Sequence, residues 1–299
     1  MATRAIGQTT VQRPVESRRR SFGPLVLLPG PLGWMTFFYL VPLGILLVHA
    51  FWSVSYPNID HTPTLTNVRT FFSSELYGRV FLRTVGMALA VTVTDLAIAF
   101  PLAFFLAKRV RRYRELMLVL VIFPLWSSYL VRVFAWKSLL GTSGILNSFL
   151  IWSGVIDEPV SFLLYSKWAM YIAFCHVWLP FMILPLYTIL ERIPNNLLEA
   201  AADLGSSGLR TFWRVILPLA RPGMLAGGLS VFSLTMGDYI TPTLLGGPGD
   251  QMIGRIIADQ FGVANNQPLG AMLVIPVLLT ISTVLAISNR SGAMERTAA

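Results

Sequence analysis

Charge is scarce in this chain. Only 12% of its 299 residues are charged, against 55% hydrophobic, where a soluble globular protein carries about 25% charged residues. Lysine occurs three times, at Lys108, Lys137 and Lys167, and none follows a glycine. A phosphate-binding Gly-Lys loop is therefore excluded, and with it ATP hydrolysis by such a loop in this chain. Cys175 is the one cysteine, which excludes an intrachain disulfide and a cysteine-based metal site. His49, His61 and His176 are far apart and form no HExxH pattern, so no metal ligand set is read here. The acidic residues of the loops, among them Asp60, Glu75, Asp157, Glu158, Asp250 and Asp259, show no catalytic spacing, and no catalytic residue is assigned.

What remains is long apolar runs, with a mean hydropathy of +0.65. A bilayer core takes about 20 apolar residues in helical form. Six windows qualify: Trp34 to Trp52, Val85 to Ala107, Leu116 to about Leu139, Trp168 to Leu190, Met224 to Leu245, and Leu269 to Ser288. The fold expected is an all-α membrane protein of six transmembrane helices. Residues 1–30 read as a basic segment, 31–290 as the membrane domain and 291–299 as a short tail. Ser17-Arg18-Arg19-Arg20-Ser21-Phe22 superficially looks like an export signal, but the long aromatic run behind it favours a retained first helix.

The net charge of +9 reflects topology rather than nucleic-acid binding. With the N-terminus inside, segments 1–24, 107–115, 190–222 and 289–299 hold 16 of the 23 basic residues. The outer loops hold Arg69, Arg79, Lys167 and Arg255. This asymmetry predicts a multi-pass inner-membrane protein with both termini cytoplasmic.

The long inner loop, 191–222, reads ERIPNNLLEAAADLGSSGLRTFWRVILPLARP. Two short helices fit it. Asn196 with Glu199 three residues on resembles a capping box, Gly205 to Gly208 is a break, and a second helix runs from about Leu209 to Leu217, ending near Pro218. Glu199 and Asp203, four apart, share one helix face, and Ala200 and Ala201 permit close approach of a partner surface.

This order of residues resembles the EAA signature of the permease subunits of binding-protein-dependent ABC importers. It falls on Glu199-Ala200-Ala201, Gly205 and Val215-Ile216-Leu217-Pro218, with valine where the pattern has isoleucine. The resemblance implies a type I, MetI-like six-helix bundle whose first loop helix docks on a cytoplasmic ATPase. The coupling residues it implies are Glu199, Ala200, Ala201, Asp203, Gly205, Leu217 and Pro218. It also implies two copies of that ATPase, which bind the ATP and Mg, a second permease, and an extracytoplasmic substrate-binding protein. Membrane lipid surrounds the bundle, and nucleic acid is no partner.

Several further strings are similar to those of spermidine/putrescine permeases, although related permeases for other small solutes share parts of them, which leaves the same machinery for another small solute as the alternative. The strings are Phe123-Pro124-Leu125-Trp126, Leu130-Val131-Arg132, Ala135-Trp136, Gly144 to Asn147, Gly237 to Pro242, and Leu245-Gly246-Gly247. A polyamine could use carboxylates and aromatic faces inside the membrane. Asp95, Asp238, Trp126, Tyr129, Trp136 and Tyr239 are the candidates. The bland alternatives are a basic partner for Asp95, a helix-capping role for Asp238, and interfacial marking for the aromatic residues. A secondary transporter would instead show an internal repeat, and none is evident. Gly223, Gly227 and Gly228 suit close helix packing against a surface the sequence does not specify.

Overall fold

The computed structural model describes residues 29–55, 58–110, 112–160 and 163–290. The basic N-terminal string and the tail 291–299 lie outside the described residues. Contacts divide the chain at Leu46/Leu47. In the first unit, helix α1 (Pro29–His49, continuing into the second unit) buries no residue. It widens to a π-helical turn at Thr36–Leu40, just before Pro42. A proline lacks the N–H of a regular turn, and such a bulge accommodates it.

In the second unit a small antiparallel hairpin pairs β1 (Ser53–Ser55) with β2 (Asn58–Asp60). Asn67 closes it onto helix α2 (Thr66–Ser73) by donating to the carbonyls of Ala50 (3.0 Å) and Trp52 (2.8 Å). Helix α3 (Glu75–Lys108) has 34 residues, about 50 Å of helix. It starts ten residues before the apolar window at Val85. The polar first turns are held by tertiary packing and a Glu75–Arg79 pair, which apolar periodicity does not register.

Helices α3, α7 (Lys167–Arg192) and α9 (Gly208–Gly237) pack together as the centre of this unit. Val91, Ala99, Ala103, Phe174, Val177, Met182, Leu186 and Val231 form its core. Two of the three glycines face α7. A Cβ on Gly223 would stand 2.9 Å from the Pro185 carbonyl oxygen and 3.1 Å from Leu186 Cα, and one on Gly227 would stand 3.1 Å from the Met182 carbonyl oxygen. Gly228 faces Thr92 of α3 instead, with ordinary contact at 3.5 Å. Helix α11 (Ile253–Phe261) and helix α12 (Gln267–Arg290) pack on each other and on α9.

Two expected spans differ from the structure. The third is not one helix. It consists of α4 (Arg114–Trp126, its last turn 3-10) and a second limb formed by α5 (Tyr129–Leu140) and α6 (Ile145–Trp152), the two bent by 88°. Ser127 and Ser128 are extended at the bend, and Ser127 Oγ donates to the Pro124 carbonyl at 2.8 Å. Short hydroxyl side chains compete with helical bonding in this way. The fifth span begins earlier than Met224 and stops at Gly237. Asp238 is extended, and a separate helix α10 (Ile240–Leu245) follows. Among the described residues, five helices are therefore long and apolar enough to cross a membrane, or six with the bent pair as one span.

Candidate functional site

Segment 191–222 leaves the bundle at the end of α7 and returns along α9. Helix α8 (Asn195–Asp203) opens at Pro194, with no side-chain cap. The expected Asn196–Glu199 capping box is absent, because the helix starts two residues earlier than that box requires and Asn196 already lies inside its first turn. Among the residues of α8 none is buried. Leu198 is half-buried against the core, Leu197 is 44% exposed, and Leu204, just past the helix, is 89% exposed. Glu199, Ala200 and Asp203 are exposed and Ala201 is half-buried. Among the described ion pairs none engages Glu199 or Asp203.

Gly205 ends α8 with φ +75°. Its N–H donates to the Ala202 carbonyl (2.8 Å), and the Ser206 N–H donates to Ala201 (2.9 Å). This pair of bonds is the Schellman closure, which needs a left-handed residue and so favours glycine. Ser207 then caps α9, accepting the Arg210 N–H at 3.4 Å.

The second loop helix does not end near Pro218. It passes through a π-helical turn, Phe212–Ile216, and runs on as α9. The missing proline N–H is absorbed by the wider turn instead of breaking the helix. Phe212 meets Phe100 of α3 edge-on at 5.3 Å, and Leu217 packs against the core. Pro218 lines a cleft of about 240 Å³ with Pro194 and Leu197, so the two ends of the segment face each other.

Polar ties fix the start of this segment. Lys108 Nζ donates to the Ile193 carbonyl, Arg114 Nε donates to the Tyr187 hydroxyl, and Arg114 ion-pairs with Glu191. The ion pair carries no directed hydrogen bond from the guanidinium Nη2. Sequence reasoning missed these ties. The usable signal was a single acid, Glu191, closing the fourth span on the side of the basic 107–115 loop.

The intramembrane candidates separate into two places. Asp95 on α3 is fully buried against α7, where the Cys175 thiol faces its carboxylate. Neither oxygen has a hydrogen-bond partner in regular geometry and no basic residue pairs with it among the described residues, so the alternative of a basic partner is not realised there. It lines none of the described cavities.

The other place is where α5, α7 and α10 meet. Tyr129 stacks on Trp178 at 5.1 Å, and its hydroxyl lies 2.6 Å from Thr241 Oγ1. Arg132 lies 5.9 Å from the Tyr129 ring and donates to the Val177 carbonyl at 3.4 Å. Buried Asp238 accepts the N–H groups of Ile240 (3.2 Å) and Thr241 (3.0 Å), which fixes the start of α10. Trp136 Nε1 donates to His176 Nδ1 at 3.2 Å. Trp126 is 75% exposed and Tyr239 is 51% exposed.

Residues 99–291 match the family model described as the binding-protein-dependent transport system inner membrane component. The inner membrane ABC transporter permease protein YdcU of Escherichia coli K12 is 37% identical over 286 residues, 91% of each chain. The spermidine/putrescine transport system permease protein PotB of the same organism is 36% identical over 262 residues, 87% of this chain and 94% of that one. Among solved structures, a bacterial alginate ABC transporter in complex with alginate pentasaccharide-bound periplasmic protein matches over 91% of this chain with TM-score 0.71, at 18% identity, a likeness of fold. With its bent helical bundle and its glycine-closed loop helix, the chain belongs to the family of inner-membrane components of binding-protein-dependent transport systems.

Proposed function

We propose that this chain is the permease subunit of an ATP-driven importer of polyamines of the spermidine/putrescine class. The similarity to PotB along 87% of the chain carries the substrate reading. Both termini and segment 191–222 face the cytoplasm, in keeping with the distribution of basic residues. Helix α8 inserts between the helices of a separate ATPase, which binds ATP and Mg and performs the hydrolysis. Glu199 and Asp203 meet basic groups there, Ala200 and Ala201 allow close approach, and Gly205 with Leu217 and Pro218 returns the motion to α9. Two such ATPases, a second permease and an extracytoplasmic binding protein complete the transporter.

The substrate path runs beside the junction of α5, α7 and α10. Tyr129 and Trp136 offer aromatic faces to an ammonium group, and Trp126 and Tyr239 add theirs from the exposed side, towards the second permease. Asp238 holds the start of α10, beside Tyr239. Asp95 takes part only after α3 and α7 separate, since it is enclosed between them here. Uptake of labelled spermidine into proteoliposomes holding the complete complex, with loaded binding protein and ATP, tests this reading. ATP-dependent uptake of a different solute, with none of spermidine or putrescine, would overturn the substrate assignment.

A further inference from the structure

Arg114 occupies the first turn of α4, where the helix dipole disfavours a cation. Its position is explained by its partners. Tyr187 and Glu191 are four residues apart on α7, so they present one face, and both engage Arg114. The tie lies in a partly dry setting. Tyr187 is buried, and the Arg114 and Glu191 side chains are 29% and 43% exposed. Three residues past Glu191 the chain opens α8, and Lys108 at the end of α3 holds the intervening Ile193 carbonyl.

At its other end α4 reaches the 88° bend, where no regular helical bonding crosses Ser127–Ser128. Beyond the bend, α5 carries Tyr129 and Arg132, which are fastened to α10 and α7. A helix is stiff along its axis and a two-serine bend is not. Displacing the α7–α8 junction therefore pulls on α4 at Arg114 and turns the chain at the bend.

We propose that Arg114 is a positioning residue that relays movement of α8 to the bend between α4 and α5, and through it to the cluster around Tyr129. This inference rests on the coupling role proposed for α8. Arg114 touches no substrate. Its effect is to make the motion of the loop and the motion of the bent span one event.

The experiment uses the complete complex in proteoliposomes, reading substrate transported per ATP hydrolysed. Arg114→Ala and Glu191→Gln should assemble and hydrolyse ATP, while transport per ATP falls about tenfold, the order expected for losing a partly desolvated interaction with a charged group. The exchange Arg114→Glu with Glu191→Arg should recover most of that loss, since the Tyr187 hydroxyl can donate or accept. A purely structural role would lower assembly and hydrolysis together and would not be rescued by the exchange. Wild-type transport per ATP in both single variants would overturn the relay, as would an exchange variant no better than the single ones. A Glu199→Ala, Gly205→Asp variant run alongside separates the two readings. If it transports normally, the coupling role of α8 fails. If it is inactive while Arg114→Ala couples normally, only the relay fails.

Discussion

The three glycines of α9 give the sharpest prediction about packing, because neighbouring positions should respond with opposite sign. Alanine in place of an interior helical glycine contributes about 1 kcal/mol through backbone propensity alone. At Gly228 the added methyl meets only Thr92 Cγ2 at 3.5 Å, an ordinary contact. Gly228→Ala should therefore stabilise by about 0.5–1 kcal/mol. At Gly223 the methyl would sit 2.9 Å from the Pro185 carbonyl oxygen and 3.1 Å from Leu186 Cα. Those are backbone atoms of α7, so the helices must part, and overpacking of this kind costs about 1–3 kcal/mol. Gly227→Ala falls between. Its 2.8 Å contact is the Met182 sulfur, which can swing away, but Met182 Cα at 3.2 Å cannot. Net of propensity, Gly223→Ala should destabilise by up to about 2 kcal/mol. In thermal unfolding of the purified complex this corresponds to a drop of up to about 8 °C, against no drop or a small rise for Gly228→Ala. Equal losses at both positions would refute the assignment of Gly223 to the α7 contact and Gly228 to the α3 face.

Other substitutions test other parts of the account. Gly205→Val should reduce uptake more than Gly205→Asn, because a left-handed conformation costs a β-branched residue more than the ~1–2 kcal/mol of an ordinary one and costs asparagine least. Uptake in which the asparagine variant is the worse of the two would contradict the Schellman closure. Asp238→Ala should destabilise by about 0.5–2 kcal/mol, since two N–H groups at the start of α10 lose their acceptor. Asp238→Asn should cost less, and thermal unfolding ranks the pair. Asp95→Asn should leave the assembled complex at least as stable as wild type, because its buried carboxylate has no regular hydrogen-bond partner to lose. A fall of several degrees would mean that the Cys175 contact is worth more than argued.

Apolar windows made the spans legible. The bend at Ser127–Ser128 was not legible, because Leu116 to Leu139 stays apolar across it and window hydropathy ignores where backbone bonding stops. Pro124 and the serine pair were the available cue. The opposite misreading occurred at Pro218. Proline there predicts a helix end, but a π turn lets the helix pass, a geometric accommodation with no signal in composition. In segment 191–222 the turn at Gly205 followed from residue type alone. The Arg114–Glu191 tie did not, since it joins residues 77 positions apart. Gly223 and Gly227 announced a close approach, while the surface approached depended on helix rotation, which alternating small and large residues did not fix. Asp238 was readable as a candidate for either capping or transport, and its two accepted N–H groups make the capping role a structural fact.

The central claim is that movement made by a separate ATPase enters this bundle through α8. The most direct measurement replaces Ala200 with cysteine in a Cys175→Ser background and follows disulfide cross-linking to single cysteines in the ATPase of the assembled complex. The account predicts a cross-link whose yield changes with bound nucleotide, and no labelling of position 200 by a membrane-impermeant thiol reagent added from outside. External labelling, or the absence of any cross-link to the ATPase, would contradict it.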